Sequence, residues 1–145
     1  MRRSVFFVLV AFAIIGAAGC KSSTGPEDEA GLIGTWRATQ AEFVSVANSS
    51  TRVEIIGQGS TLTLVFETTN FTLTIDEPDA EPDVTTGTWS ASKDVLTLTP
   101  SGASFNTQFD MTQSGNTLTL RDGHVQFDFH GTFEEAILNM VLTRQ

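Results

Sequence analysis

From Gly31 onward the large apolar side chains return at every second position, the period of a strand with one buried face rather than the 3.6 of a helix. Thr61-Leu62-Thr63-Leu64 recurs as Leu96-Thr97-Leu98-Thr99 and as Thr117-Leu118-Thr119-Leu120. The same alternation puts Phe71, Leu73 and Ile75 on one face of a strand, Phe105, Phe109 and Met111 on one face of another, and Val125, Phe127 and Phe129 on one face of a third. Their opposite faces carry Thr72, Thr74, Asn106, Gln108, Asp110, Gln126 and Asp128. Threonine suits such a face, because its branched stem fits the pleat and its hydroxyl meets water.

Turn residues punctuate the runs at Gly57 to Gly59, Thr69-Asn70, Glu77 to Asp83, Ser92 to Asp94, Pro100 to Gly102, Ser114 to Asn116 and Asp122-Gly123. Gaps this short favour hairpins between neighbours. The pattern predicts nine or ten strands among the segments near residues 33–38, 42–47, 52–56, 61–67, 71–76, 84–91, 95–99, 104–112, 117–121, 124–130 and 137–143. A meander of this length removes its exposed edges by closing on itself, so the expected fold is an all-β, antiparallel up-and-down barrel of about eight to ten strands. A sandwich is the other arrangement that this spacing allows. An outer-membrane barrel would turn an apolar band outward, whereas these strands turn out Thr, Asn, Gln and Asp.

The first residues follow a different pattern. Arg2 and Arg3 precede an apolar run from Val5 to Ile15, and the small residues Gly16 to Gly19 follow it. These are the charged, apolar and cleavage regions of a secretory signal, and the run is short of the ~20 residues that span a bilayer. Ala17-Ala18-Gly19-Cys20 resembles a lipobox, the site at which a bacterial lipoprotein is cut before an acylated cysteine. That resemblance implies a signal peptide over residues 1–19 and a multi-chain lipid anchor on Cys20, palmitate among its acyl groups, which holds a protein stably at a membrane. Cys20 is the single cysteine, so no intramolecular disulfide forms.

Residues 20–30 then read as the lipidated cysteine and a flexible tether, since Lys21 to Ala30 hold Ser, Gly, Pro and acids and no large apolar side chain. Lys21 stands where enterobacterial lipoproteins retained in the inner membrane carry aspartate, so the resemblance implies the periplasmic face of the outer membrane as the destination. Loss of residues 1–19 removes Arg2 and Arg3 and no acid, taking the formal charge of -9 to -11. Nucleic acid is excluded as a partner, because it is bound through basic phosphate contacts.

Within residues 31–145, Gly34-Thr35-Trp36 resembles the G-x-W that opens the first lipocalin strand, and Gly87-Thr88-Trp89 repeats it ahead of the Leu96-Thr97-Leu98-Thr99 run. Small bacterial lipoproteins with a lipocalin-like domain share this layout. The resemblance implies that Gly34 and Trp36 form the barrel base, with Arg144, or in second place Arg121, packed over the indole as a cation on a π face. Equally, both tryptophans can be ordinary core residues whose neighbouring glycines relieve crowding.

Candidate chemistry adds little. His124, Gln126, Asp128 and His130 share one outward face, and six residues of strand hold the histidines ~20 Å apart, too far for one metal. The run Glu77 to Asp83 lacks the glycine turn and terminal glutamate of a calcium loop and reads as a solvated hairpin. No nucleophile elbow is present, Glu134 and Glu135 point to opposite faces, and no enzyme activity, cofactor or metal is expected. Two functions remain. A hollow barrel would bind a small hydrophobic molecule against Trp36, Trp89, Phe105, Phe109, Phe127 and Phe129, whereas a filled one would be an adaptor that recognises another protein.

The anchor is testable directly. In a host with two membranes the wild-type protein should be recovered with the outer membrane, and Cys20→Ser should leave membranes altogether. Recovery of Cys20→Ser in the membrane pellet at the wild-type level refutes the lipid anchor, and inner-membrane recovery of the wild type refutes the destination.

Overall fold

The computed structural model describes residues 26–145, so the expected signal peptide and the expected lipidation site, Cys20, lie outside the described residues. A short helix α1 (Pro26–Leu32) precedes nine strands: β1 (Gly34–Ser45), β2 (Arg52–Glu54), β3 (Thr61–Phe66), β4 (Asn70–Asp76), β5 (Asp83–Ser92), β6 (Val95–Pro100), β7 (Thr107–Ser114), β8 (Thr117–Asp128) and β9 (Phe133–Arg144). A single 3-10 turn, Ile56–Gln58, follows β2. Helix α1 corrects the expected tether, whose last five residues, 26–30, are helical. Composition hid this, because what holds the helix is Leu32, fully buried against the barrel beyond the polar stretch.

Each strand pairs antiparallel with its neighbour from β3 to β9, and β1 pairs with β3 on one side and β9 on the other. That last pairing, Trp36 opposite Arg144 through Ser45 opposite Ala136, closes β1 and β3 to β9 into an eight-stranded barrel and rules out the sandwich. The short β2 lies outside the ring, covering the part of β1 that β3 does not reach, with Glu42, Phe43 and Val44 opposite Glu54, Val53 and Arg52. Helix α1 and the β3–β4, β5–β6 and β7–β8 turns form one end of the barrel, the base; the β4–β5, β6–β7 and β8–β9 connections form the other.

Two pairs of expected strands are fused. Segments 33–38 and 42–47 are the two halves of β1, and 117–121 and 124–130 fall largely within β8. The reason is a bulge in each. In β1 the ladder to β9 slips between Ala38 and Gln40, and in β8 it slips between Leu120 and Gly123. One extra residue reverses the inward parity: Trp36 and Ala38 point in before the bulge, Ala41 and Phe43 after it. Likewise Leu118 and Leu120 point in before the β8 bulge, Gly123 and Val125 after it, and Asp122 takes a positive φ of 58° there. Asp122-Gly123, an expected turn, is therefore the interior of a twelve-residue strand.

The bulge of β1 is buttressed from outside. Glu54 Oε1 accepts hydrogen bonds from Ala41 N at 2.9 Å and Ile56 N at 3.3 Å, Glu54 Oε2 accepts one from Gly57 N, and the Ile55 amide donates to the Ala41 carbonyl at 3.0 Å. Partial burial pushes the Glu54 carboxyl up, but the three backbone donors together outweigh it and leave its pKa below the ordinary value. A depressed carboxyl contributes stability that is present above the unfolded-state pKa and lost as pH falls through the folded-state one. Glu54→Gln should therefore cost about 1 kcal/mol at neutral pH, allowing for solvent screening. The gap from wild type should close on acidification below the ordinary carboxyl range; denaturant melts at neutral and acid pH check both, and a gap independent of pH refutes the assignment.

Candidate functional site: a cavity above a packed base

The base is packed solid. Trp36 is fully buried, and its indole N–H donates to the Leu32 carbonyl at 2.7 Å, tying α1 beneath the barrel. Arg144 lies over the same ring with Cζ 4.5 Å from the ring centroid, and its guanidinium donates to the carbonyls of Ile33, at 3.0 Å, and Gly31. Gly34 has a φ of 136°, and a Cβ there would stand 3.1 Å from Arg144 Nη1, so the glycine serves both the chain reversal and the arginine's seat. Arg121 is exposed at the β8 bulge. Trp89 makes the corresponding contact on the other side of the base: its indole N–H donates to the Glu67 carbonyl at 2.7 Å, and its ring meets Phe66 at 4.8 Å. Leu96, Leu118, Leu120 and Leu142, all fully buried, complete the floor.

Above this floor the barrel opens to solvent. A cavity of about 830 Å³ opens at the end opposite α1. Its lining is largely apolar: Leu73, Ile75, Val125 and Phe127 are half-buried along it, Phe43, Phe71, Phe109, Leu138 and Met140 pack closely behind them, and Phe43 stacks on Phe127 at 3.8 Å between centroids. Volume and lining fall within the range of small-molecule sites in proteins, about 300–1,000 Å³. Around the mouth stand Gln58, Ser60, Glu77, Glu81, Asp83, Asp128 and His130, with Phe105 and Phe133 exposed beside them.

Of the six side chains expected to line a cavity, Phe109 and Phe127 do so deep in the wall and Phe105 at the mouth. Phe105 was expected on a strand; it belongs instead to the loop before β7 and is 55% exposed. The last β6–β7 pair is Leu98 with Thr107, and Pro100, which lacks an amide, does not extend that ladder. Trp36 and Trp89 do not line the cavity, because both are spent in the floor. Phe129 does not line it either: it follows the end of β8 and packs edge-on against Phe127 at 4.9 Å.

The residues missed are Phe43, Phe71, Leu138 and Met140 in the wall and the acids at the mouth. Alternation did mark Phe71 as inward, but nothing local separates a cavity wall from a filled core. Glu77, Glu81 and Asp83, expected in a merely solvated hairpin, belong to the cavity rim, and so do Asp128 and His130, expected on a face without a cleft. His124 stays on the outer face, where its Nδ1 lies 2.6 Å from Glu135 Oε1. Among the described residues no group of three or more His, Cys, Asp or Glu is placed to hold a metal ion.

A closed antiparallel barrel with a packed base and an open apolar cup has the architecture of a binding or carrier fold. The model of the lipocalin-like domain family matches residues 32–120, well over half of the chain, and the protein belongs to that family. No curated protein and no solved structure matches it significantly.

The seat of Phe109 depends on one contact between the neighbouring strands β7 and β8. The ring of Phe109 lies against Gly123, where a Cβ would stand 1.9 Å from Phe109 Cε1. Gly123→Ala should drive the ring into the cavity at a cost of about 1–3 kcal/mol. Phe109→Leu in the same chain should recover part of that loss. Additive effects of the two substitutions in denaturant titrations would show that the ring and the glycine are not in contact.

Proposed function

We propose that the protein is a lipid-anchored envelope carrier, not an enzyme, that holds a small hydrophobic or amphipathic molecule in the upper half of its barrel. The observation that supports this most is the largely apolar pocket above the packed floor, since an adaptor working only through its outer surface needs no such recess. The lipobox at Cys20 supports the anchor, and the charge balance argues against nucleic acid as a partner. In this reading the barrel stands base-down. Pro26 begins the helix that runs under the base, and the residues from Cys20 to it reach at most ~20 Å when extended. The mouth then faces the periplasm rather than the bilayer, and the ligand is exchanged with the aqueous compartment.

An apolar ligand gains ~25 cal/mol for each Å² removed from water, so one that fills much of the cavity should bind in the micromolar range once ordering costs are met. A neutral fluorescent probe, N-phenyl-1-naphthylamine, titrated into a chain of residues 26–145, checks this. Phe109→Asp and Phe127→Asp should weaken binding at least tenfold by placing an unpaired charge in the wall, and Gln108→Asp on the outer face should leave it unchanged. Circular dichroism of each variant separates lost binding from lost folding. A folded wild-type chain that binds no apolar probe at tens of micromolar sinks the carrier and favours the adaptor.

A further inference from the structure

The mouth of the cavity has a chemistry that an apolar wall does not require. Every ionisable group lining it is a carboxylate apart from His130: Glu77, Glu81 and Asp83 from the β4–β5 connection and the start of β5, and Asp128 from the end of β8. Neither lysine nor arginine is among the lining residues. Just inside stands Ser60, 7% exposed and on the same inward parity as Leu62 and Leu64. Its Oγ has no hydrogen-bond partner among the described residues, yet it is not sealed from the cavity, so it offers a hydroxyl to an occupant. Phe105 and Phe133, 55% and 75% exposed, hold two aromatic rings at the same opening.

Carboxylates, a free hydroxyl and aromatic faces around an apolar cup complement one kind of head group. We propose that the ligand is a cationic amphiphile, an alkyl or aryl chain ending in an ammonium. Its tail lies against Phe43, Phe71, Phe109 and Phe127, and its head lies among Glu81, Asp83 and Asp128. A primary or secondary ammonium donates a hydrogen bond to Ser60 Oγ, and any ammonium gains cation–π attraction from Phe105 or Phe133. A fatty-acid carboxylate of the same length meets like charge at the rim and a strongly acidic chain beyond it. This inference rests on the carrier reading and adds to it the charge of the head group.

The test compares three probes with one tail, octyltrimethylammonium, octanol and octanoate. Each is titrated calorimetrically into the full lipidated chain in nanodiscs of zwitterionic lipid, with the heat of empty discs subtracted. Octyltrimethylammonium should bind on the order of tenfold more tightly than octanoate, with octanol between them, because a cleft of one sign concentrates its counter-ion by at least that factor. Raising the salt should shrink the gap. The double variant Asp83→Asn/Asp128→Asn, at two exposed positions, should narrow it as well, by weakening the ammonium and strengthening octanoate. Octanoate binding as tightly as the ammonium, or a gap that survives neutralisation of the rim, overturns the cationic ligand and leaves the carrier standing. If none of the three binds, both fall together.

Discussion

The pairing of β1 with β9 is the constraint on which the rest of the molecule depends. It joins the first and last strands of the ring, leaves no long open edge, and brings Trp36 opposite Arg144 at the base. β9 carries this seam without interruption, with Ala136, Leu138, Met140 and Leu142 alternating inward along its length. The strands on either side of it are the two that bulge, and they do so at one height: Gln40 lies opposite Val141 and Leu120 opposite Met140. A bulge bends a strand and steepens its twist, so the two together turn the wall around a straight β9.

That height is also where the interior changes character. Below it Trp36, Leu118, Leu120 and Leu142 are fully buried or nearly so; above it Val125 and Phe127 are half-buried along the pocket, with Phe43 and Leu138 packed behind them. The small residues Ala38, Ala41 and Gly123 beside the bulges let the wall come close without filling the cup. The division has an energetic logic. A packed base supplies the apolar burial and the satisfied indole N–H groups that hold the fold, and so frees the upper half from having to be full. A single barrel thus combines a filled lower interior with an open pocket at its upper end.

The rim follows from the same geometry. The acidic β4–β5 connection and the end of β8 belong to different parts of the chain, and closure of the ring brings them to one opening. There the carboxylates share one opening, and low-dielectric walls on the inner side strengthen their field.

Much of this was legible from residue order because the strand period is local. The alternating runs identified the inward faces of β3, β4 and β7 and most of the hairpins, and the G-x-W at Trp36 pointed to the base and to Arg144. Alternation failed where parity reverses inside one strand: residues 33–47 and 117–130 read as two strands each, since a bulge and a tight turn look alike over a few residues. It also assigned Trp36, Trp89 and Phe129 to the cavity with Phe109 and Phe127, because it tells inward from outward and says nothing of height along the barrel axis. The sequence by itself determined the class of fold and the inward positions within uninterrupted strands, both consequences of neighbouring residues on a pleated chain. Only the tertiary structure decided which of those side chains fill the floor, which line the cup and which acids guard it, because those are relations between strands far apart in sequence that exist only once the ring is closed.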